Sequence, residues 1–128
     1  MTNLLIVDDS DIDLFIFKES IKIHAVSLRC SLCYSGDIAL KFIDAFVLAN
    51  KCLPKLIVVD YIMPMMNGLE FIERLNARFP NLVSGTRIFL LSVRIEATVE
   101  RQAKLLGVAG ILIKPVTLQM LRYLETCI

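Results

Sequence analysis

At 128 residues the chain has the size of one domain and can bury a substantial core. Apolar residues make up 56% and charged residues 21%, which excludes a disordered tail and points to elements buried on both faces. The 14 basic and 13 acidic residues leave a net charge of +1 with no basic cluster, so nucleic-acid binding, which needs a concentrated positive face, is not expected of this domain.

The N-terminus, MTNLLIVDDS, turns acidic after four apolar residues, unlike a signal or transit peptide. No apolar run reaches the roughly 18 residues that cross a bilayer. A soluble, cytoplasmic protein without membrane contact is expected. Leu4 to Val7 is an unbroken apolar run of strand length, and residues 10–24 read as a helix. Leu28 to Cys33 alternates more, as an edge strand does. Next comes a helix with Ile38, Ala39, Phe42, Ile43 and Phe46 at helical spacing. Leu56 to Val59 is the third strand. A third helix follows, with Phe71, Ile72, Leu75 and Phe79 on one face and Asn67-Gly-Leu-Glu70 as a capping box. Ile88 to Leu91 is the fourth strand. Residues 96–106 carry a weaker stripe of Val99, Ala103 and Leu106, and Gly107 is placed to end that helix. Ile111 to Ile113 is the fifth strand, and Thr117 caps a last helix bearing Leu118, Leu121 and Leu124.

Cys30-x-x-Cys33 looks like a redox or zinc half-motif, but it falls in a strand, where residues three apart point to opposite faces. Cys52 and Cys127 form no second pair of that kind, and His24 is the single histidine. Free thiols and a structural or solvated His24 are expected.

Five strand–helix units in about 125 residues point to a three-layer α/β sandwich. Right-handed crossovers favour a doubly wound parallel sheet of order 2-1-3-4-5. Ligands of such sheets bind at the carboxyl ends of the strands, by the switch point between the first and third. Strand 1 runs into Asp8-Asp9, strand 3 into Asp60, strand 4 into Ser92 and strand 5 into Lys114. Taken singly, each is an ordinary cap, turn or solvated residue. Together they converge on one rim.

Clustered carboxylates repel one another unless a cation sits among them. An oxygen-only site without His or Cys suits Mg²⁺. A carboxylate beside such an ion can attack a phosphoryl group, with Lys114 and Ser92 contacting the phosphoryl oxygens.

On these residues the whole chain resembles the receiver domain of two-component response regulators, with a flavodoxin-like fold over residues 1–128. LLIVDDSD is similar to the family's acidic metal-binding segment, and VVDYIMPMMNGLEF to its phosphoacceptor segment, including Met63-Pro64, Met66 and Gly68. The resemblance implies Asp60 as acceptor, Asp8, Asp9, Asp60 and the Ile62 backbone carbonyl around Mg²⁺, and Ser92 and Lys114 at the family's hydroxyl and lysine positions. It also implies a cis Lys114–Pro115 bond, the one class of peptide bond that takes cis readily. Implied partners are a histidine kinase or histidine phosphotransfer protein as donor, and a downstream protein target or output domain. No effector segment follows the last helix, which reads as a stand-alone receiver or a domain of a longer regulator.

Two positions depart from the family pattern. Ile111 stands where an aromatic switch residue is usual, and Val93 follows the hydroxyl where a small residue is frequent. Switching through Ser92 and Ile111 is therefore expected without an aromatic ring. Ile111 is also expected as an exposed aliphatic residue that favours homodimers through helix 4, strand 5 and helix 5.

Three alternatives compete. A flavodoxin-type cofactor binder would cradle phosphate in its first loop, but DDSDID carries four carboxylates. A haloacid-dehalogenase-type phosphohydrolase would need a second Asp where Ile62 stands. An interaction module without phosphotransfer would have no use for all five site positions.

Overall fold

The computed structural model describes residues 1–25 and 27–128. Strands β1 (Leu4–Val7), β2 (Cys30–Cys33), β3 (Leu56–Asp60), β4 (Arg87–Ser92) and β5 (Gly110–Ile113) form one parallel sheet of order β2-β1-β3-β4-β5. Helices α1 (Asp11–His24), α2 (Gly36–Asn50), α3 (Gly68–Arg78), α4 (Ala97–Leu105) and α5 (Leu118–Glu125) supply the crossovers and the last cover. The sandwich and strand order are those expected from the sequence.

The pleat explains the unbroken apolar runs. Successive strand residues point to opposite faces, so a strand covered on both sides must be apolar throughout. Leu5, Val7, Ile57, Val59, Ile88 and Leu90 pack with Ala39, Ile43, Ile72, Leu75 and Val99 of the α2–α3–α4 layer. Their neighbours Leu4, Ile6, Leu56, Val58, Phe89 and Leu91 pack with Leu14, Phe17, Leu121 and Leu124 of the α1–α5 layer. The register aligns Val7 with Val59, and Val59 with Leu90, so the central strands bring their carboxyl ends to a common level. Each fully buried side chain of this size contributes about 1.5–3 kcal/mol.

Helix boundaries follow the capping residues. Ser10, Ser35, Asn67 and Thr117 each accept a backbone N–H of the first turn, and Asn67 with Glu70 completes the capping box. Gly107, at φ 84°, occupies the left-handed conformation that ends α4.

Several local expectations shift. Ile38 is half exposed, and Ala39, Leu40 and Ile43 carry the α2 contact, because Ile38 lies on the flank of the buried stripe. Leu118 is likewise exposed at the start of α5, and Met120 packs in its place. Strand β5 is not buried on both faces. It is an edge strand like β2, half-buried along its length, with Ile113 exposed.

Ile111 is not the exposed aliphatic residue expected. It is half-buried against the layer that holds Val99 and Ala103 of α4, because its parity in β5 turns it toward that helix. All four cysteines are free; Cys33 packs in one layer and Cys30 in the other, and His24 is exposed.

Candidate functional site

The strands deliver the polar residues to one edge. Asp8 follows β1, Asp60 ends β3, Ser92 ends β4 and Lys114 follows β5. Pleat parity sorts them. Asp8 and Asp60 continue the side of Ile6 and Val58, and Lys114 that of Leu112, all toward α1 and α5. Ser92 continues the side of Leu90, toward the opposite layer.

Lys114 gathers the first group. Its Nζ donates to Asp13 Oδ2 at 2.7 Å and to Asp60 Oδ2 at 3.2 Å. It also lies 3.1 Å from Asp8 Oδ2, but as an ion pair without hydrogen-bond alignment. That oxygen is fully buried and accepts no hydrogen bond. Burial by itself lowers the Lys114 pKa, yet the Asp13 hydrogen bond and the charges of Asp60 and Asp8 outweigh it and raise the pKa above the ordinary lysine value.

Asp60 shows the reverse balance. It is 6% exposed, and loss of water followed by the charge of Asp8 pushes its carboxyl up to about 6, against the lowering effect of Lys114. One carboxylate oxygen each from Asp8, Asp9 and Asp60 lie within 4.8 Å of one another, with Asp9 exposed and the other two buried. A buried oxygen without a donor, in an all-oxygen cluster, fits a hard divalent cation.

Ser92 lies at the same rim but is turned away from this group. Its Oγ donates to the Arg94 carbonyl at 2.7 Å, within its own loop. Arg94 is exposed and pairs with Glu96 at 3.2 Å. Ile62, two residues past Asp60, has an exposed side chain. The loop from β3 to α3 is built tightly: a Cβ at Gly68 would meet the Asp60 carbonyl oxygen at 2.6 Å, so glycine lets α3 start directly against the end of β3. The Lys114–Pro115 bond is cis, as the resemblance implied.

Thus Asp8, Asp9, Asp60 and Lys114 come together, while Ser92 stands at the same rim with its hydroxyl bonded within its own loop. Asp13 was not singled out by the sequence. Its signal lies in DDSDID: Ser10 caps α1 through Asp13 N, which sets Asp13 in the first turn beside the strand ends. Sequence spacing alone could not separate it from Asp11.

The cavity bordered by Asp13 and Lys114 measures about 30 Å³. A larger open groove of about 410 Å³ lies between α3 and α4, lined by Tyr61, Glu70 and Gln102, away from the carboxylates.

Residues 4–124 match the family model described as the response regulator receiver domain. Among solved structures, the chain is similar to chemotaxis protein CheY4 of Vibrio cholerae, at 23% identity and TM-score 0.80, covering 100% of this chain and 99% of that one. A two-component response regulator from Legionella pneumophila matches at 24% identity and TM-score 0.80, with 100% of each chain covered. One from Cytophaga hutchinsonii matches at 25% identity and TM-score 0.81, covering 96% of this chain and 92% of that one. No curated protein shows detectable similarity. The matched span takes in every strand and carries the acidic cluster at the switch point, and the chain belongs to the receiver domain family of two-component response regulators, phosphoryl-accepting signalling switches.

Proposed function

We propose that residues 1–128 act as one receiver domain in which Asp60 accepts a phosphoryl group from the phosphohistidine of a histidine kinase or a histidine phosphotransfer protein. The modified chain then signals to a downstream protein target or output domain. The observation that carries this reading is Asp60 itself: it is buried, 3.2 Å from Lys114 Nζ, and part of a three-carboxylate cluster with the donorless Asp8 Oδ2.

The chain's residues divide the work. An Asp60 carboxylate oxygen attacks phosphorus in line, and the P–N bond breaks with its electron pair going to the departing imidazole nitrogen. The departing ring takes up a proton, and the products are an aspartyl phosphate and the donor's unmodified histidine side chain. Asp8, Asp9 and Asp60, with the Ile62 backbone carbonyl, would hold Mg²⁺. When bound, that ion offsets the charge on carboxylates and phosphate and polarises the phosphoryl group. Lys114 supplies a point charge to one phosphoryl oxygen, and Ser92 turns from the Arg94 carbonyl to hydrogen-bond another. In this scheme the chain catalyses only its own phosphorylation and slow dephosphorylation. Self-association through α4, β5 and α5 is part of the same proposal.

Incubation with acetyl phosphate and Mg²⁺ should add one phosphate by intact-mass analysis. Asp60→Asn or EDTA should abolish the addition. Full phosphorylation of Asp60→Asn would sink the assignment, and an inert parent protein would favour an interaction module without phosphotransfer.

A further inference from the structure

Lys114 is held more closely by Asp13 than by the proposed acceptor. The contact to Asp13 Oδ2 is 2.7 Å, against 3.2 Å to Asp60 and 3.1 Å to Asp8. An ammonium has three hydrogens to give. Here three carboxylates surround it, and among the described residues no other basic side chain pairs with any of them.

Asp13 differs from its companions in origin. It stands on α1, outside the Asp8–Asp9–Asp60 oxygen cluster, and is part-exposed where Asp8 and Asp60 are buried. Its backbone is fixed, because Asp13 N donates to the Ser10 Oγ cap at 3.2 Å. The carboxylate therefore reaches Lys114 from a capped first turn and from outside the Asp8–Asp9–Asp60 cluster.

We propose that Asp13 is a positioning residue that holds Lys114 in the unmodified state and competes with the incoming phosphoryl group for its charge. This rests on Asp60 being the acceptor. A phosphoryl group on Asp60 needs the charge of Lys114, which Asp13 engages at the shortest of the three contacts. Asp13 also adds a fourth negative charge beside a dianionic ligand, and like charges a few ångströms apart repel even at an effective dielectric of about 20. Asp8 keeps Lys114 near the site when Asp13 is neutralised, so removing the Asp13 charge frees the lysine without losing it.

The experiment titrates the full chain, saturated with Mg²⁺, with beryllofluoride as phosphoryl mimic. It compares the parent, Asp13→Asn, Asp13→Glu and Asp11→Asn. Asp11 lies in the same first turn and pairs with no cation among the described residues, so it controls for helix charge. Asp13→Asn should bind ~3- to 10-fold tighter, the change expected from removing one partly screened like charge. Asp11→Asn and Asp13→Glu should bind as the parent does. The Lys114 side-chain ammonium resonance should shift in mimic-free Asp13→Asn and remain unchanged in Asp11→Asn.

Equal or weaker binding by Asp13→Asn overturns the proposal, as does an unmoved Lys114 resonance. Equal tightening in Asp11→Asn would assign the effect to helix charge and overturn it too. A parent that binds no beryllofluoride overturns the acceptor assignment, and the role of Asp13 falls with it. A parent that binds, with an unaltered Asp13→Asn, removes only the role of Asp13.

Discussion

Asp60 is held in a costly state before any ion or phosphate arrives. Its carboxyl titrates at about 6 in the folded chain against an ordinary 3.8, because burial and then Asp8 disfavour the charged form more than Lys114 favours it. An acid with a raised folded pKa binds protons more tightly folded than unfolded. Its contribution to stability therefore improves as pH falls from above 6 to below 4, and the full penalty is present above 6. In EDTA at pH 8, Asp60→Asn should stabilise the protein by about 1–3 kcal/mol, since each tenfold change in proton affinity is worth about 1.4 kcal/mol. That corresponds to a rise in Tm of roughly 3–10 °C for a domain of this size. With saturating Mg²⁺ the gain should vanish or reverse, because the ion binds the folded carboxylates. A thermal scan with an unstabilised metal-free Asp60→Asn would contradict the repulsion account.

Two exposed side chains at the same rim bear on phosphate lifetime. Ile62 and Arg94 stand two residues beyond Asp60 and Ser92, one aliphatic and one a long cation. Hydrolysis needs a water in line with phosphorus, and bulky side chains at these two positions are expected to hinder its approach. The double variant Ile62→Asn with Arg94→Glu should lose its phosphate severalfold faster. A decay rate equal to or slower than the parent's would discard the steric explanation.

At the scale of elements, the site connects to the β4–α4 loop through one hydroxyl. Ser92 Oγ is committed to the Arg94 carbonyl at 2.7 Å, so turning it to a phosphoryl oxygen removes a bond that holds residues 92–94. A neutral hydrogen bond of this kind is worth about 1 kcal/mol, enough to shift a loop between two arrangements. Beryllofluoride should move amide resonances of residues 93–97 and the start of α4 in the parent. Ser92→Ala should still bind the mimic while its loop response shrinks. Identical shifts in both proteins would remove Ser92 from the switch. Ile111 lies against the α4 layer as a half-buried neighbour, so it can register an α4 shift by a rotamer change, without burying a ring.

For the whole molecule, the two layers have unequal tasks. The α1–α5 side holds Asp8, Asp60, Asp13 and Lys114, while Ser92 faces the α2–α3–α4 side and bonds its own loop. Under the proposed function, a signal would cross the sheet at the end of β4. If the α4–β5–α5 face carries output by self-association, beryllofluoride should raise the sedimentation coefficient. Ile111→Ala should weaken that association only modestly, because much of Ile111 is already covered within the chain. Association untouched by substitutions anywhere on α4, β5 or α5 would place it on another face.

The sequence by itself determined the five strand–helix units, the strand order and the acidic rim. The units rest on local periodicity, capping residues and turns, which neighbouring residues settle, and the order on the right-handed crossover preference. Asp8, Asp60, Ser92 and Lys114 were legible because each directly follows an apolar run, and Asp9 because it stands next to Asp8. Tertiary structure decided what depends on packing across the sheet. Edge position left β5 half-covered and pleat parity turned Ile111 toward α4, although its apolar run reads like those of the central strands. Pleat parity put Ser92 on the opposite side from Lys114. Only the seating of α1 beside the cis Lys114–Pro115 turn brought Asp13 to 2.7 Å from a lysine 101 residues away, a distance that no spacing along the chain can encode.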